Sequence, residues 1–293
     1  MTSSKDKWKD SIPSDKTEKK IVRCPNCGTH LNAEKHNYVI SSEWFFWNMR
    51  STMITDEKKN SKPKPEPVKY IEVENPIWKV ESCLKCEKIK NTEEKMIAAG
   101  INKGYVKKRF CNYQIYNDNK IAEMQKSKID YFKTIAETWK DKRITPIIVI
   151  YGNTGTGKGH MVTAFIYELI YRYNIKARFV KYNSLMKEIQ DSYDSEEVTE
   201  KQILNHYKTA DLTVLDEIGI VEKNSNWAFN ILYDIIDYRY ENGKPTIIIS
   251  NLGEQKLPDY FKKFNERLYS RVFAKSNQAM FFNWEDYRIG GIK

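Results

Sequence analysis

The stretch Ile147–His160 reads IIVIYGNTGTGKGH, and its two halves ask different things of the backbone. Ile147–Tyr151 is an unbroken β-branched and aromatic run, as expected of a strand buried on both faces. Gly152–Gly159 then interrupts it with four glycines. The spacing Gly152-x-x-x-x-Gly157-Lys158 lets the chain turn tightly enough to aim consecutive N–H groups at phosphate oxygens. The helix N-terminus that follows adds a positive end, and Lys158 adds a point charge for β- and γ-phosphates. Val162, Phe165, Ile166, Leu169, Ile170 and Tyr173 recur at helical spacing and supply that helix. Strand, glycine loop and amphipathic helix in this order predict a phosphate-binding loop. Its candidate residues are Gly152, Asn153, Thr154, Gly155, Thr156, Gly157, Lys158, Gly159 and His160.

Gly159 departs from the usual pattern, which places a Ser or Thr hydroxyl after the lysine as a ligand for Mg²⁺. Glycine offers no ligand, so a metal there needs a water in its place, or indirect help from Thr156 or Asn153. Nucleotide binding is expected to survive this, and hydrolysis is expected to be slow.

Outward from the loop, four more short apolar runs alternate with helical stretches: Ala177–Tyr182, Leu212–Asp216, Thr246–Ser250 and Ala279–Phe282. This alternation predicts an α/β domain built on a parallel five-stranded sheet covered on both faces. Helices are also predicted over Trp227–Tyr240 and Lys120–Trp139. The run Leu212–Gly219, LTVLDEIG, ends a buried strand in Asp216-Glu217. Asp216 is placed to hold Mg²⁺ through water, and Glu217 to polarise an attacking water as general base. The intervening run Ala177–Tyr182 leaves room for the inserted-strand arrangement of ATPases that use a catalytic Glu. The chain lacks an Asn-Lys-x-Asp guanine-reading motif, so ATP is the expected nucleotide.

Three further features, carried by four residues, each have two readings. Asn251, after the fourth strand, is either a contact to the γ-phosphate or attacking water, or a turn residue. Arg267 and Arg271 in NERLYSR fall on one face of a short helix. That pair either reaches a neighbouring subunit's γ-phosphate or is solvated surface. Arg288, just beyond the last strand, is a second arginine on the nucleotide or part of a terminal cap.

Composition and charge set the outer bounds. The 293 residues are 40% hydrophobic and 13% aromatic, enough for a real core. No apolar run reaches the roughly 18–20 residues a membrane span needs. Met1–Lys20 is polar and charged, is expected to be a flexible tail, and carries no apolar leader segment, which makes the cytoplasm the expected compartment. The net charge of +10 is unevenly placed: residues 1–143 hold 30 Lys/Arg and 20 Asp/Glu, and residues 144–293 hold 19 of each. A basic half beside a neutral one points either to a polyanionic or acidic partner or to a solvated lysine-rich surface.

Cys24-Pro-Asn-Cys27 and Cys83-Leu-Lys-Cys86 are C-x-x-C pairs separated by 55 residues. Each can present two thiolates to one tetrahedral Zn²⁺, so Cys24, Cys27, Cys83 and Cys86 are the candidate ligands, with His30 and His36 as alternates. A closed four-ligand site is structural and leaves no position open for catalysis. Cys111 stands outside this scheme and is expected to be a buried small residue. The Lys/Pro-rich run Lys58–Lys69 is expected to be a loop. The aromatic block Trp44–Trp47 is either small-domain core or, because four consecutive aromatics cannot all face inward, an exposed partner or base-stacking surface.

Taken in order, GNTGTGKGHM, LTVLDEIG, Asn251, NERLYSR and FNWEDYR resemble the AAA+ helicase loaders of the DnaC/DnaI type and their relatives, the IstB-type transposition helpers. The resemblance extends upstream through INKGYVKKRFCNY (Ile101–Tyr113) and covers about residues 100–293. It implies Lys158, Asp216 and Glu217 in an ATP site and Asn251 as sensor of the γ-phosphate. It also implies Arg271 as the finger acting on an adjacent subunit and Arg288 as a second sensor. The division it suggests is a tail (1–20), a zinc-binding helicase-interaction domain (21–98), a linker and helix (99–143), and an AAA+ domain (144–293). The chain ends five residues after Arg288, so that domain is expected to lack a helical lid. The implied partners are a hexameric DnaB-type helicase, single-stranded DNA, with the helix Ser184–Tyr193 as a candidate contact, and further copies of the chain. Two other functions fit the same motifs: an IstB-like ATPase that serves a transposase on duplex DNA, and a non-hydrolysing nucleotide-dependent adaptor.

Overall fold

A computed structural model describes residues 19–24, 26–27, 29–40, 70–80, 82–141, 147–194, 198–219 and 226–290. Trp44–Trp47 and Lys58–Lys69 lie outside these residues. The chain divides into two compact units, Met1–Lys88 and Ile89–Lys293. In the first, β1 (Lys19–Arg23), β2 (His30–Ile40) and β3 (Tyr70–Val80) form an antiparallel sheet in that order. The register of β2 on β3 shifts between His36 and Tyr38. The helix α1 (Leu84–Ala98) follows.

The second unit is built on five parallel strands: β4 (Ile147–Gly152), β5 (Ala177–Lys181), β6 (Leu212–Asp216), β7 (Thr246–Ser250) and β8 (Gln278–Phe282). Their spatial order is β5-β6-β7-β4-β8. The strand inserted between the loop strand β4 and the acidic strand β6 is therefore β7, while β5 takes an edge. This corrects the role expected of Ala177–Tyr182. The reason lies in side-chain chemistry: Thr246–Ser250 is buried along its whole length, as a strand flanked on both sides must be, whereas β5 ends in exposed Lys181.

Along each strand, side chains alternate between two cores. Ile148, Ile150, Val214, Ile247 and Ile249 face one layer with Met161, Phe165 and Leu169 of α3 (Lys158–Tyr173) and Phe132 of α2 (Asn119–Glu137). Ile147, Val149, Leu215 and Ile248 face the other. There they meet α4 (Tyr182–Ser192), α5 (Glu200–Thr209), α6 (Asn226–Glu241), α7 (Lys256–Phe264) and α8 (Glu266–Val272). Each fully buried aliphatic or aromatic side chain contributes roughly 1.5–3 kcal/mol, so this period-2 pattern fixes the register of every strand.

Residues 99–141 also enter the first of these cores, through Ile101, Val106, Tyr113, Ile129, Phe132 and Ala136. Cys111 is exposed, contrary to its expected burial. It sits in the short turn Phe110–Asn112, where Phe110 packs against the core and Tyr113 is buried in it. Those aromatics take the inward positions and turn the thiol outward. Among the described residues no helix is long and apolar enough to cross a membrane.

Candidate functional site

At the C-terminal ends of β4, β6 and β7 a cleft of about 630 Å³ opens above the glycine loop. Such crevices are where open α/β sheets hold ligands. Helix α3 starts at Lys158 with Gly157 as its N-cap in the left-handed region at φ 89°, so its unpaired N–H groups begin at the cleft. Two glycines are required here by space as well as by dihedral. A Cβ on Gly157 would lie 2.5 Å from the Tyr113 hydroxyl, and one on Gly155 would overlap the Asp286 carboxylate.

The loop is fastened from both sides. Tyr113 donates its hydroxyl and Trp284 its indole N–H to the same acceptor, the Thr156 carbonyl, at 3.0 and 2.9 Å. Asn153 donates through its backbone N–H to Phe282 O at 2.9 Å and through Nδ2 to Trp284 O at 3.2 Å. Thr156 donates its hydroxyl to Asn153 O at 2.8 Å. Both side chains considered as substitutes for the missing hydroxyl at Gly159 are thus engaged in holding the loop.

Lys158 is 5% exposed and donates Nζ to the carbonyls of Gly152 (2.9 Å) and Asn153 (2.5 Å). Burial pulls its ammonium down to about 8. Across the cleft burial pushes the Asp216 carboxyl up to about 6, against the backbone N–H of Glu217 and the charges of Lys181 and Lys158. Glu217 itself adopts φ 62°, a left-handed conformation that costs a non-glycine residue about 1–2 kcal/mol. Its carboxylate is paired with Lys181 Nζ at 2.7 Å.

Thr154, Gly155, Thr156, Gly157, Lys158, Gly159, His160, Asp216, Glu217, Asn251 and Arg288 all line this cleft, whereas Gly152 and Asn153 touch it through Lys158, whose Nζ their carbonyls hold. Arg288, 64% exposed, is gripped by Asp286 through Nε (3.0 Å) and Nη2 (2.7 Å). Arg271 is not part of the cleft wall. It lies on α8 against Asp237 and Glu241 of α6. Helix α4, expected as a nucleic-acid contact, buries Leu185, Met186 and Ile189 and exposes Lys187, Glu188 and Asp191, so its outer face has no positive excess.

The sequence reading missed one wall of the cleft. Tyr105, Lys108, Asn112, Tyr113, Gln114 and Tyr116 line it, together with Gln125 and Tyr287. Arg109 anchors this wall: its guanidinium lies 3.3 Å over the Tyr167 ring and pairs with Glu93 at 2.8 Å. His160 Nε2 meets Arg109 O and Asn112 Oδ1 at 2.9 and 3.0 Å, and burial lowers its pKa. The only signal was the likeness of Ile101–Tyr113 to a segment found upstream of related ATPase cores.

In the first unit the four cysteine Sγ atoms lie within 4.8 Å of one another. Cys24–Cys86 and Cys27–Cys83 are 3.7 and 3.4 Å apart. Tetrahedral thiolates at about 2.3 Å from zinc stand about 3.8 Å apart, so the set fits that ion. The Thr29 hydroxyl and backbone beside Cys27 hold its thiol down at about 6. His30 and His36 are outside this cluster among the described residues.

A family model described as IstB-like ATP binding protein matches residues 78–272, more than half of the chain and all of the loop, Asp216 and Glu217. The chain belongs to the IstB-like ATP-binding family. Among relatives of this family member, the replicative helicase loader DnaC of Escherichia coli strain K12 is 29% identical over 140 residues, 48% of this chain and 55% of that protein. The chain thus spans about half the length of that relative. DnaC of Buchnera aphidicola subsp. Schizaphis graminum is 25% identical over 209 residues, 71% of this chain and 80% of that one. A crystal structure of the DnaC helicase loader superposes with a TM-score of 0.51 at 20% identity, over 62% of this chain and 99% of that one. The fold of this IstB-like protein is therefore the α/β core of that structure, built on a five-stranded parallel sheet.

Proposed function

We propose that the protein is an ATP-dependent loader that binds a hexameric DnaB-type replicative helicase and delivers it onto single-stranded DNA when replication initiates. The observation that carries this reading is the match to proteins named replicative helicase loader, 209 residues long in one case. A cleft that draws Lys158, Asp216, Glu217, Asn251 and Arg288 to one space supports it. In this reading residues 21–98 grip the helicase around a structural Zn²⁺ held by Cys24, Cys27, Cys83 and Cys86. Residues 144–293 form the ATPase, joined to that part by 99–143, and the protein works in the cytoplasm.

Lys158 and the loop N–H groups hold the ATP phosphates, and Asp216 would hold Mg²⁺, which would offset the charge of those phosphates. Glu217, once released from Lys181, takes a proton from the attacking water. Asn251 and Arg288 contact the γ-phosphate side, and Arg271 acts on the site of a neighbouring copy. With Gly159 in place of a hydroxyl ligand, hydrolysis is slow, and ATP acts as a switch on assembly. The test is to mix the chain with its host's replicative helicase and ATP and measure complex mass. A defined complex supports the loader, and its absence overturns it.

The family model favours a second reading, an IstB-like helper of a transposase on duplex DNA. ATP turnover or self-assembly that responds to double-stranded but not single-stranded DNA would select it.

A further inference from the structure

We propose that Asp237 and Glu241 latch Arg271, and that an ATP-loaded neighbour must draw the arginine out of this latch before it can act across a subunit boundary. The inference rests on the reading above, in which ATP-bound copies assemble through Arg271.

Arg271 on α8 faces α6 directly. Its guanidinium lies against the Asp237 carboxylate, and its Nη2 donates to Glu241 Oε1 at 2.8 Å. The side chain of Arg271 retains 11% exposure and that of Asp237 19%. The backbone beside it is held too, since Asn277 donates Nδ2 to Arg271 O at 2.5 Å. Arg267, one turn earlier, is the contrast: it is 64% exposed and reaches Glu241 at 3.5 Å.

A guanidinium so covered cannot touch a phosphate on another molecule while both carboxylates hold it. Little solvent screens Arg271 from Asp237, so that arm of the latch is held more firmly than a surface pair, and half-exposed Glu241 adds the weaker arm. A γ-phosphate brings up to about two negative charges and three acceptor oxygens on one centre, comparable with the two carboxylates together, and so competes for a bidentate donor. In a nucleotide that ends in a β-phosphate the terminal oxygens lie one phosphate deeper in the loop, where Lys158 and the loop N–H groups hold them, and nothing extends toward the neighbour's arginine. The latch thereby makes assembly depend on ATP rather than on nucleotide in general, because only a ligand with different affinity for the two arginine positions can shift between them.

The test is sedimentation velocity of the full chain over a range of concentrations, with a non-hydrolysable ATP analogue or with ADP. Asp237→Asn and Glu241→Gln are expected to assemble with the analogue at a concentration about five- to tenfold lower than the unaltered chain. Arg271→Ala is expected to stay monomeric. If both carboxylate variants assemble at the unaltered concentration or above it while Arg271→Ala does not assemble, the latch is overturned and the finger stands. If Arg271→Ala assembles normally, the finger fails and the latch fails with it. Glu241, 54% exposed, carries the test should thermal melting show that Asp237→Asn does not fold.

Discussion

Trp284 donates its indole N–H to the carbonyl oxygen of Thr156 at 2.9 Å, so a residue just past the last strand positions the middle of the phosphate-binding loop. Tyr113 makes the same contact from the other side. Trp284 is 3% exposed, so Trp284→Phe leaves most of its packing and removes one of the two donors on that carbonyl, at a cost of about 0.5–1.5 kcal/mol. Tyr113→Phe also leaves the acceptor one partner but keeps its ring, whereas Trp284→Phe gives up part of the indole's packing, so the tyrosine change should cost less. Only the double variant leaves the carbonyl unpaired, at about 1–3 kcal/mol. Thermal melting and titration with a fluorescent ATP analogue are expected to rank affinity as unaltered, Tyr113→Phe, Trp284→Phe, and lowest for the double variant.

Gly155→Ala is expected to weaken ATP binding by at least about tenfold, because φ 72° and the Asp286 carboxylate both oppose a methyl group there. Adding Asp286→Ala should recover part of that loss, since it removes the overlap and leaves the dihedral strain. No recovery in the double variant would show that Asp286 is not the obstacle.

The pH dependence of binding has two limbs, with signs set by burial. Burial lowers Lys158 to about 8, so the ammonium is lost as pH rises through 8 rather than near 10.5, and affinity for ATP should fall there. Burial raises Asp216 to about 6, so the carboxylate is lost as pH falls through 6, and the Mg²⁺-dependent part of binding should fall there. Lys158→Arg should abolish the upper limb and Asp216→Asn the lower one in calorimetric titrations.

Gly159→Ser should fold normally, because a Cβ at that position meets only Tyr105 Cε1, at 3.5 Å. By supplying the hydroxyl ligand it is expected to raise the Mg²⁺ enhancement of ATP binding about three- to tenfold. An unchanged Mg²⁺ response would place the metal away from residue 159.

Elemental analysis of the purified chain is expected to find about one zinc per molecule. Cys27→Ser or Cys86→Ser should lower that content, whereas Cys111→Ser should leave it intact. Zinc retained by both of the first two variants would count against the four-thiolate site.

The parallel sheet was legible because its strands are short, mainly apolar and β-branched runs of a length no helix needs, and β4, β6 and β7 are buried almost throughout. The loop and the Asp216-Glu217 pair were legible because their chemistry demands fixed spacing. The order of the strands was not, since the place of β7 between β4 and β6 depends on which fully buried strand fits between two neighbours. Nor was the wall from Tyr105 to Tyr116, whose tyrosines, lysine and amides have no periodicity to mark a face. The pairing of Arg271 with Asp237 and Glu241 joins residues 34 and 30 positions apart, which local sequence does not connect.

Thr156 is bound by one residue 43 positions before it and another 128 positions after it. Ligand-induced settling of the loop should therefore be felt at two remote stretches of chain together. Amide hydrogen exchange would register it as slowed exchange around Phe110–Tyr113 and Phe282–Tyr287 in step, even though neither stretch carries the residues that define the nucleotide motif.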